Sequence, residues 1–312
     1  MIYYKPQEKK KQHLILIFRL KNRRKIVSEK KIGLVLEGGA LRGVFTAGVL
    51  DYLMEAGVTF PYVVGVSAGA GNAADFVSGQ IGRTLRVITH EDADPYYGLG
   101  QLYRSGTLLD LDIMTYEYSY RQIPFDFGTY FSSPTECEFV VANCETGLAE
   151  YRGADESEER LLALCKASCS IPLICKPVII DGNYFLDGSL IDSVPVAHAL
   201  EKCDKAVVIL TRYGDQPPTD YARIRSLLNI SYRSRFPKLV DAMLRRKEVY
   251  ARQMAQLEAY EREGRAFVIR PESMSISHFE NNTEKIGVFY RHGKEVMEKH
   301  MNELRAFLED RA

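Results

Sequence analysis

The pentapeptide Gly65-Val66-Ser67-Ala68-Gly69 joins the apolar run YVVGV (62–66) to a stretch of small residues: Ala68, Ala70, Gly71, Ala73 and Ala74. A G-x-S-x-G pattern between a strand and a helix is the setting of a nucleophile elbow. Gly65 and Gly69 leave room for a turn so tight that side chains beside Ser67 would collide. Ser67 is thereby expected to stand at a helix N-terminus, where the dipole favours a developing negative charge. The chemistry is attack by a hydroxyl, which needs a base to accept its proton.

Six histidines are present, and none sits in a setting that announces a base. His198 opens a helical pattern after Pro195, and His278 lies in a polar loop. Acids cluster instead in IIDGNYFLDGSLIDSVPV, residues 179–196. Asp181-Gly182 separates two short β-like runs and reads as a hairpin turn. Asp187-Gly188 follows the second run, where a strand delivers a side chain to the sheet end. Asp187 is the better candidate base. A third feature is the loop Gly38-Gly39-Ala40-Leu41-Arg42-Gly43, directly after the apolar run IGLVL (32–36). Bare backbone there suits a phosphate cradle or a cup of N–H groups for an oxyanion. The dinucleotide form of the cradle fits poorly. It wants G-x-G-x-x-G and an acid ending the next strand, whereas this loop offers Gly38-x-Ala40-x-x-Gly43 and the next strand runs into Ser67.

These groups need a scaffold that brings them together. Besides 32–36 and 62–66, strands are expected at 138–143, 206–211 and 266–270, with helices at 43–55, 158–167 and 195–201 between them. Apolar strands without polar alternation are buried on both faces, so a largely parallel sheet covered by helices on each side follows. Arginines stud 216–263, read as a charged solvent face balanced by glutamates. Residues 96–131 are dense in Tyr and Phe, read as packing under an irregular cap, with an apolar cleft for a greasy substrate as the alternative.

The 312 residues carry no net charge, yet residues 1–31 hold eight Lys and three Arg against two Glu. This arm is expected to be a disordered tail rather than a contact for anionic lipid or nucleic acid. No apolar run reaches membrane-spanning length and no signal peptide is evident, which points to a cytoplasmic protein. The six cysteines form no C-x-x-C pair and read as buried free thiols. His90-Glu91-Asp92-Ala93-Asp94 reads as a solvated acidic turn, not a metal site.

The Gly-rich loop, the GVSAG elbow and an Asp-Gly followed by DSVPV together resemble the patatin-like phospholipase family, over about residues 32–198. The tail from about 200 resembles the extension of a bacterial subgroup more weakly. The resemblance implies an α/β fold, a three-layer α/β/α sandwich with a largely parallel central sheet. It divides the chain into the basic arm 1–30, a catalytic domain 31–200 and an α/β extension 201–312 packed on it. It makes Ser67 the nucleophile and Asp187 its proton acceptor in a dyad without histidine. Gly38, Gly39 and Ala40 would form the oxyanion hole, supported by Arg42, Gly43, Gly65, Gly69 and Gly188. The implied substrate is a lipid or other acyl ester, with peripheral membrane contact, no nucleic acid, and no metal or organic cofactor.

Two positions depart from the family pattern. Ala40 stands where a third glycine is usual, and Ser189 follows Asp187-Gly188 where Gly or Ala is usual. Ser189 is expected to satisfy a nearby backbone group rather than to bond Asp187, and Arg42 to anchor its loop through an acidic partner rather than to attract a lipid phosphate. The alternatives are a Ser67–Asp187–histidine triad using His198 or His278, and an idle lipid-binding protein of the same fold.

Overall fold

The computed structural model describes residues 31–90, 110–154, 157–214 and 216–310. Eight strands form one sheet: β1 (Ile32–Leu36), β2 (Tyr62–Val66), β3 (Glu136–Asn143), β4 (Ala149–Arg152), β5 (Val178–Ile180), β6 (Asn183–Asp187), β7 (Lys205–Ile209) and β8 (Ala266–Ile269). Their order is β5-β6-β3-β2-β1-β7-β8, with β4 also paired to β3. Strands β3, β2, β1, β7 and β8 run parallel, while β4 and the β5–β6 hairpin run antiparallel to their neighbours.

Every residue of β1, β2 and β7 is buried, as continuous apolar runs require. Alternation then assigns the faces. Leu34, Leu36, Val63 and Val207 join one core with helices α1 (Gly43–Glu55), α2 (Ala68–Val77) and α5 (Glu158–Ser168). Val35, Val64 and Val208 join another with α6 (Val196–Lys202) and α8 (Pro237–Arg262). The result is helix, sheet, helix: the three-layer α/β architecture expected from the strand pattern. Smaller helices are α3 (Arg83–Thr89), α4 (Phe127–Ser132) and α7 (Arg225–Leu228), with a wide helical turn at Ile113–Gln122.

The last helix, α9 (Thr283–Glu309), was not anticipated from the sequence. Its apolar stripe packs on α1 at a glycine crossing. A Cβ on Gly48 would lie 2.1 Å from the Tyr290 carbonyl oxygen, and one on Gly293 2.2 Å from that of Phe45. Asp181 and Gly182 turn the β5–β6 hairpin with φ of 51° and 79°, the pair of left-handed residues that a tight two-residue turn needs. The Asp181 carboxylate faces Arg152 and Arg160 on the surface. Residues 1–30, 91–94 and the tyrosines at 96, 97 and 103 lie outside the described residues.

Candidate active site

Ser67 follows β2 at the C-terminal edge of the sheet and caps α2, with φ 55° and ψ −125°. A non-glycine residue in that region costs roughly 1–3 kcal/mol and persists only where its surroundings hold it. Here they do. A Cβ on Gly65 would lie 2.2 Å from the Gly69 carbonyl oxygen, and one on Gly69 2.4 Å from that of Leu36. The Ser67 N–H donates to Ser168 Oγ at 2.8 Å, and that hydroxyl donates to the Val140 carbonyl at 2.7 Å. The side-chain hydroxyl is left free to point elsewhere.

It points at Asp187. Ser67 Oγ donates to Asp187 Oδ2 at 2.7 Å, 120 residues along the chain. Asp187 closes β6, its N–H bonded to the Ser170 carbonyl at 2.9 Å. Its second oxygen accepts the Ser189 N–H at 2.8 Å. Asp187 is 3 % exposed. Burial pushes its pKa up, while hydrogen bonds from Ser67 and Ser189 and the charge of Arg246 pull it back.

The Gly38–Gly43 loop lies against this pair. A Cβ on Gly38 would meet Ser67 Cβ at 2.8 Å, and one on Gly39 would meet Thr211 Oγ1 at 2.5 Å. Ala40 adopts φ 48°, the left-handed conformation that its side chain resists by about 1 kcal/mol or more. The N–H groups of Gly38, Gly39 and Ala40 have no acceptor among the described residues. Gly43 and Gly188 are required for space, since added Cβ atoms would sit 2.6 Å from Ala68 Cβ and 2.2 Å from the Val140 carbonyl oxygen.

Glu37, fully buried at the end of β1, ties this loop to the rest of the molecule. It accepts from Thr211 N–H at 2.7 Å, Thr211 Oγ1 at 3.0 Å and Tyr250 Oη at 3.1 Å, and pairs with Arg212. Arg212 in turn stacks over the Tyr250 ring. The anchoring acid therefore belongs to Arg212, and the expectation for Arg42 is corrected. The buried Arg42 guanidinium donates to His278 Nε2 at 2.7 Å and reaches Gln216 at 3.5 Å, with no carboxylate among the described residues. Burial pulls its pKa down to about 10. Ser189 also departs from expectation. Its hydroxyl and carbonyl accept from Arg246, at 3.2 and 2.6 Å. Arg246 is itself buried and not on the charged solvent face assigned to its segment.

The two candidate histidines separate. His198 bonds Glu138 at 2.7 Å and stacks on Tyr151; Glu138 pairs with Val64, three residues before Ser67 and so about 10 Å along the strand from it. His278 reaches the site but turns to Arg42 and bonds neither Ser67 nor Asp187. Burial first, then Arg42, Arg212 and Arg246, push its pKa down to about 4.

A cavity of about 470 Å³ opens at Ser67 and runs between α2, α3, the 113–122 turn and α5. Ala68, Gly71 and Ala74 line it along α2, facing Ile88, Phe125 and Leu162. Part of the aromatic-dense segment thus walls an apolar cleft. Among the described residues no group of His, Cys, Asp and Glu could hold a metal ion.

An α/β sheet with a serine elbow, an adjoining carboxylate and a glycine loop at its C-terminal edge defines the class. The profile of the patatin-like phospholipases matches residues 34–200, and the chain belongs to that family. A domain of unknown function, DUF6363, matches residues 236–309. The chain is 32 % identical over 192 residues to the uncharacterized protein YjjU of Escherichia coli, covering 60 % of this chain and 53 % of that one. It is 25 % identical over 298 residues to the lysophospholipase nte1 of Aspergillus terreus, covering 88 % of this chain but 18 % of that one. It thus spans about half of YjjU and a small part of the lysophospholipase. VipD from Legionella pneumophila aligns in structure with a TM-score of 0.48 at 14 % identity, covering 88 % of this chain and 67 % of that one.

Proposed function

We propose that the protein is a serine acyl hydrolase acting on carboxylic esters of lipids, with Ser67 as nucleophile and Asp187 as base. The observation that carries this reading is the direct 2.7 Å bond from Ser67 Oγ to Asp187 Oδ2 at the mouth of an apolar cavity. Membership of the patatin-like phospholipases and the lysophospholipases among the relatives support lipid esters as the substrate class. As Oγ attacks the ester carbon, its proton passes to Asp187. The carbonyl oxygen becomes an oxyanion facing the N–H groups of Gly39 and Ala40, with Gly38 alongside. Loss of one such donor typically costs about 2.7–4 kcal/mol of barrier. Collapse expels the alcohol, which takes the proton from Asp187. Water, deprotonated by the same carboxylate, then releases the acyl group from Ser67. Turnover of phospholipids or short-chain esters by the purified protein tests the reading, and a folded chain inert toward every ester would overturn it.

We read residues 31–200 as the catalytic unit and 201–312 as an extension that lends Arg212, Arg246 and His278 to its surroundings. A triad with histidine has less support. His278 spends its Nε2 lone pair on Arg42 and stands among three cations, where accepting a proton is costly. His278→Asn and His198→Gln are each expected to keep kcat within about tenfold of wild type, against the 10²–10⁴-fold loss of a missing general base. Steady-state kinetics on a soluble ester separates the two.

The acyl chain would run along α2 from Ser67. Gly71 lies about 6 Å up the helix, and apart from its chain neighbours and the helix's own backbone no described atom comes within 4 Å of a Cβ built there. Gly71→Leu fills that space and, in a helix, removes the glycine penalty of about 1 kcal/mol. Its kcat/KM for long-chain relative to short-chain esters is expected to fall by on the order of tenfold or more. An unchanged chain-length profile would place the acyl group elsewhere.

A further inference from the structure

We propose that the outer face of the 221–235 segment, built around Ile224, Leu227 and Ile230, docks on the surface of an anionic lipid bilayer. Nine large apolar side chains are exposed among the described residues. Six of them, Leu148, Tyr213, Ile224, Leu227, Ile230 and Phe279, lie on segments that leave the C-terminal ends of β3, β7 and β8. That is the edge where Ser67 stands. Single exposed apolar residues are ordinary, but a concentration on one edge marks a contact surface. Ile230 is 80 % exposed and Leu227 48 %. The segment's inner face is already satisfied, with Tyr221, Leu228 and Tyr232 buried in a cluster with Leu239 and Met243 of α8. The outer residues are therefore not misplaced core.

Charge selects the partner. Residues 220–241 contain Arg223, Arg225, Arg233, Arg235 and Lys238 against Asp220 and Asp241, of which Asp241 pairs with Arg233 at 2.7 Å, so cations stay in excess. Arg223 is 85 % exposed in its side chain and meets only Asp220, at 3.9 Å. Arg225 and Lys238 form no ion pair among the described residues. An apolar ridge rimmed by cations is the form that lies in a membrane interface, its apolar side chains at the acyl boundary and its cations at lipid phosphates. A second copy of this chain meeting the same patch across a two-fold axis would oppose like charges. The surface also adjoins the candidate site. The Arg246 guanidinium sits 5.7 Å from the Tyr221 ring and bonds Ser189 beside Asp187, while Phe279 lines the cavity that opens at Ser67. Docking in this orientation brings the ester region of a lipid to the serine. The docking does not rest on the hydrolase reading, whereas its use in delivering substrate does.

The test is sedimentation of the full chain with vesicles of phosphatidylcholine, with and without phosphatidylglycerol. The protein is expected to sediment with the anionic vesicles and to be released by salt. Leu227→Glu combined with Ile230→Glu, both exposed, should keep the folded circular-dichroism spectrum and turnover of a soluble short-chain ester. Its vesicle partitioning should fall by on the order of tenfold or more, and hydrolysis of vesicle phospholipid with it. Arg223→Glu with Arg225→Glu should remove the preference for anionic vesicles. The proposal is overturned if the wild type ignores both vesicles or if the Leu227/Ile230 variant binds as wild type, which would put the contact elsewhere, such as the basic arm. It is also overturned if the wild type is a dimer that this variant splits. Vesicle binding as expected without turnover of any ester would sink the hydrolase reading and leave the docking surface standing.

Discussion

Ser67→Ala is expected to drop ester turnover by about 10⁶-fold, leaving only what binding and the N–H groups supply, and to abolish labelling by a fluorophosphonate that marks the wild type. The loss is near total because the hydroxyl is the atom that bonds to substrate, and no neighbouring hydroxyl can replace it. Ser168 Oγ is committed to the Ser67 N–H and the Val140 carbonyl, and Ser189 Oγ accepts from Arg246. Alanine keeps the Cβ, so the strained backbone at φ 55° is neither relieved nor worsened. The fold should survive with a loss of about 1–3 kcal/mol, since the buried Asp187 carboxyl loses one of its donors. A denaturant titration checks that point, so that lost activity cannot be charged to unfolding. A variant labelled as strongly as wild type would put the nucleophile elsewhere and end the reading.

Much of this site was legible because its parts sit at element ends that short-range patterns reveal. IGLVL and YVVGV are continuous apolar runs, so β1 and β2 and the turns that leave them could be placed to the residue. The Asp181-Gly182 turn fixed where β6 begins, and hence that Asp187 stands at its end. What supports these groups was hidden, because its partners are far apart in the chain. Glu37 continues a buried strand, and a carboxylate there must be paired. Nothing local names Arg212 and Tyr250, which are 175 and 213 residues away. Ser168 has no pattern that sets it apart. Arg246 did carry a signal. It falls three residues after buried Met243 and four before buried Tyr250, on the inner stripe of α8. In the run Arg245-Arg246-Lys247 the composition masked the periodicity, so a buried cation was read as surface. Arg42 misled in the opposite way, because a cation in a loop invites an acid, and the acid at hand was already engaged.

Asp187→Asn removes the proton acceptor while keeping the shape, and is expected to lower kcat by about 10²–10⁴-fold. The amide can still face Ser67 and Ser189, so KM should move little. In the wild type the carboxylate must be ionised to act, and burial holds its pKa above the ordinary aspartate value. The acid limb of kcat/KM should therefore lie above that value, with activity lost as pH falls through it. Arg246 works against burial, because its charge favours the carboxylate. Arg246→Ala should shift the limb to higher pH, a displacement that loss of packing alone would not produce. Stability runs the other way. With the folded pKa raised, the folded protein binds the proton more readily than the unfolded chain, and stability falls as pH rises from the ordinary aspartate value through the folded one. A neutral amide escapes that loss, so Asp187→Asn should melt no lower than wild type at neutral pH and higher if the shift is large. An inactive variant that is as stable as its parent is the signature of a carboxylate kept buried for chemistry. If Asp187→Asn instead turns over esters at the wild-type rate, the base is another group and the dyad is wrong.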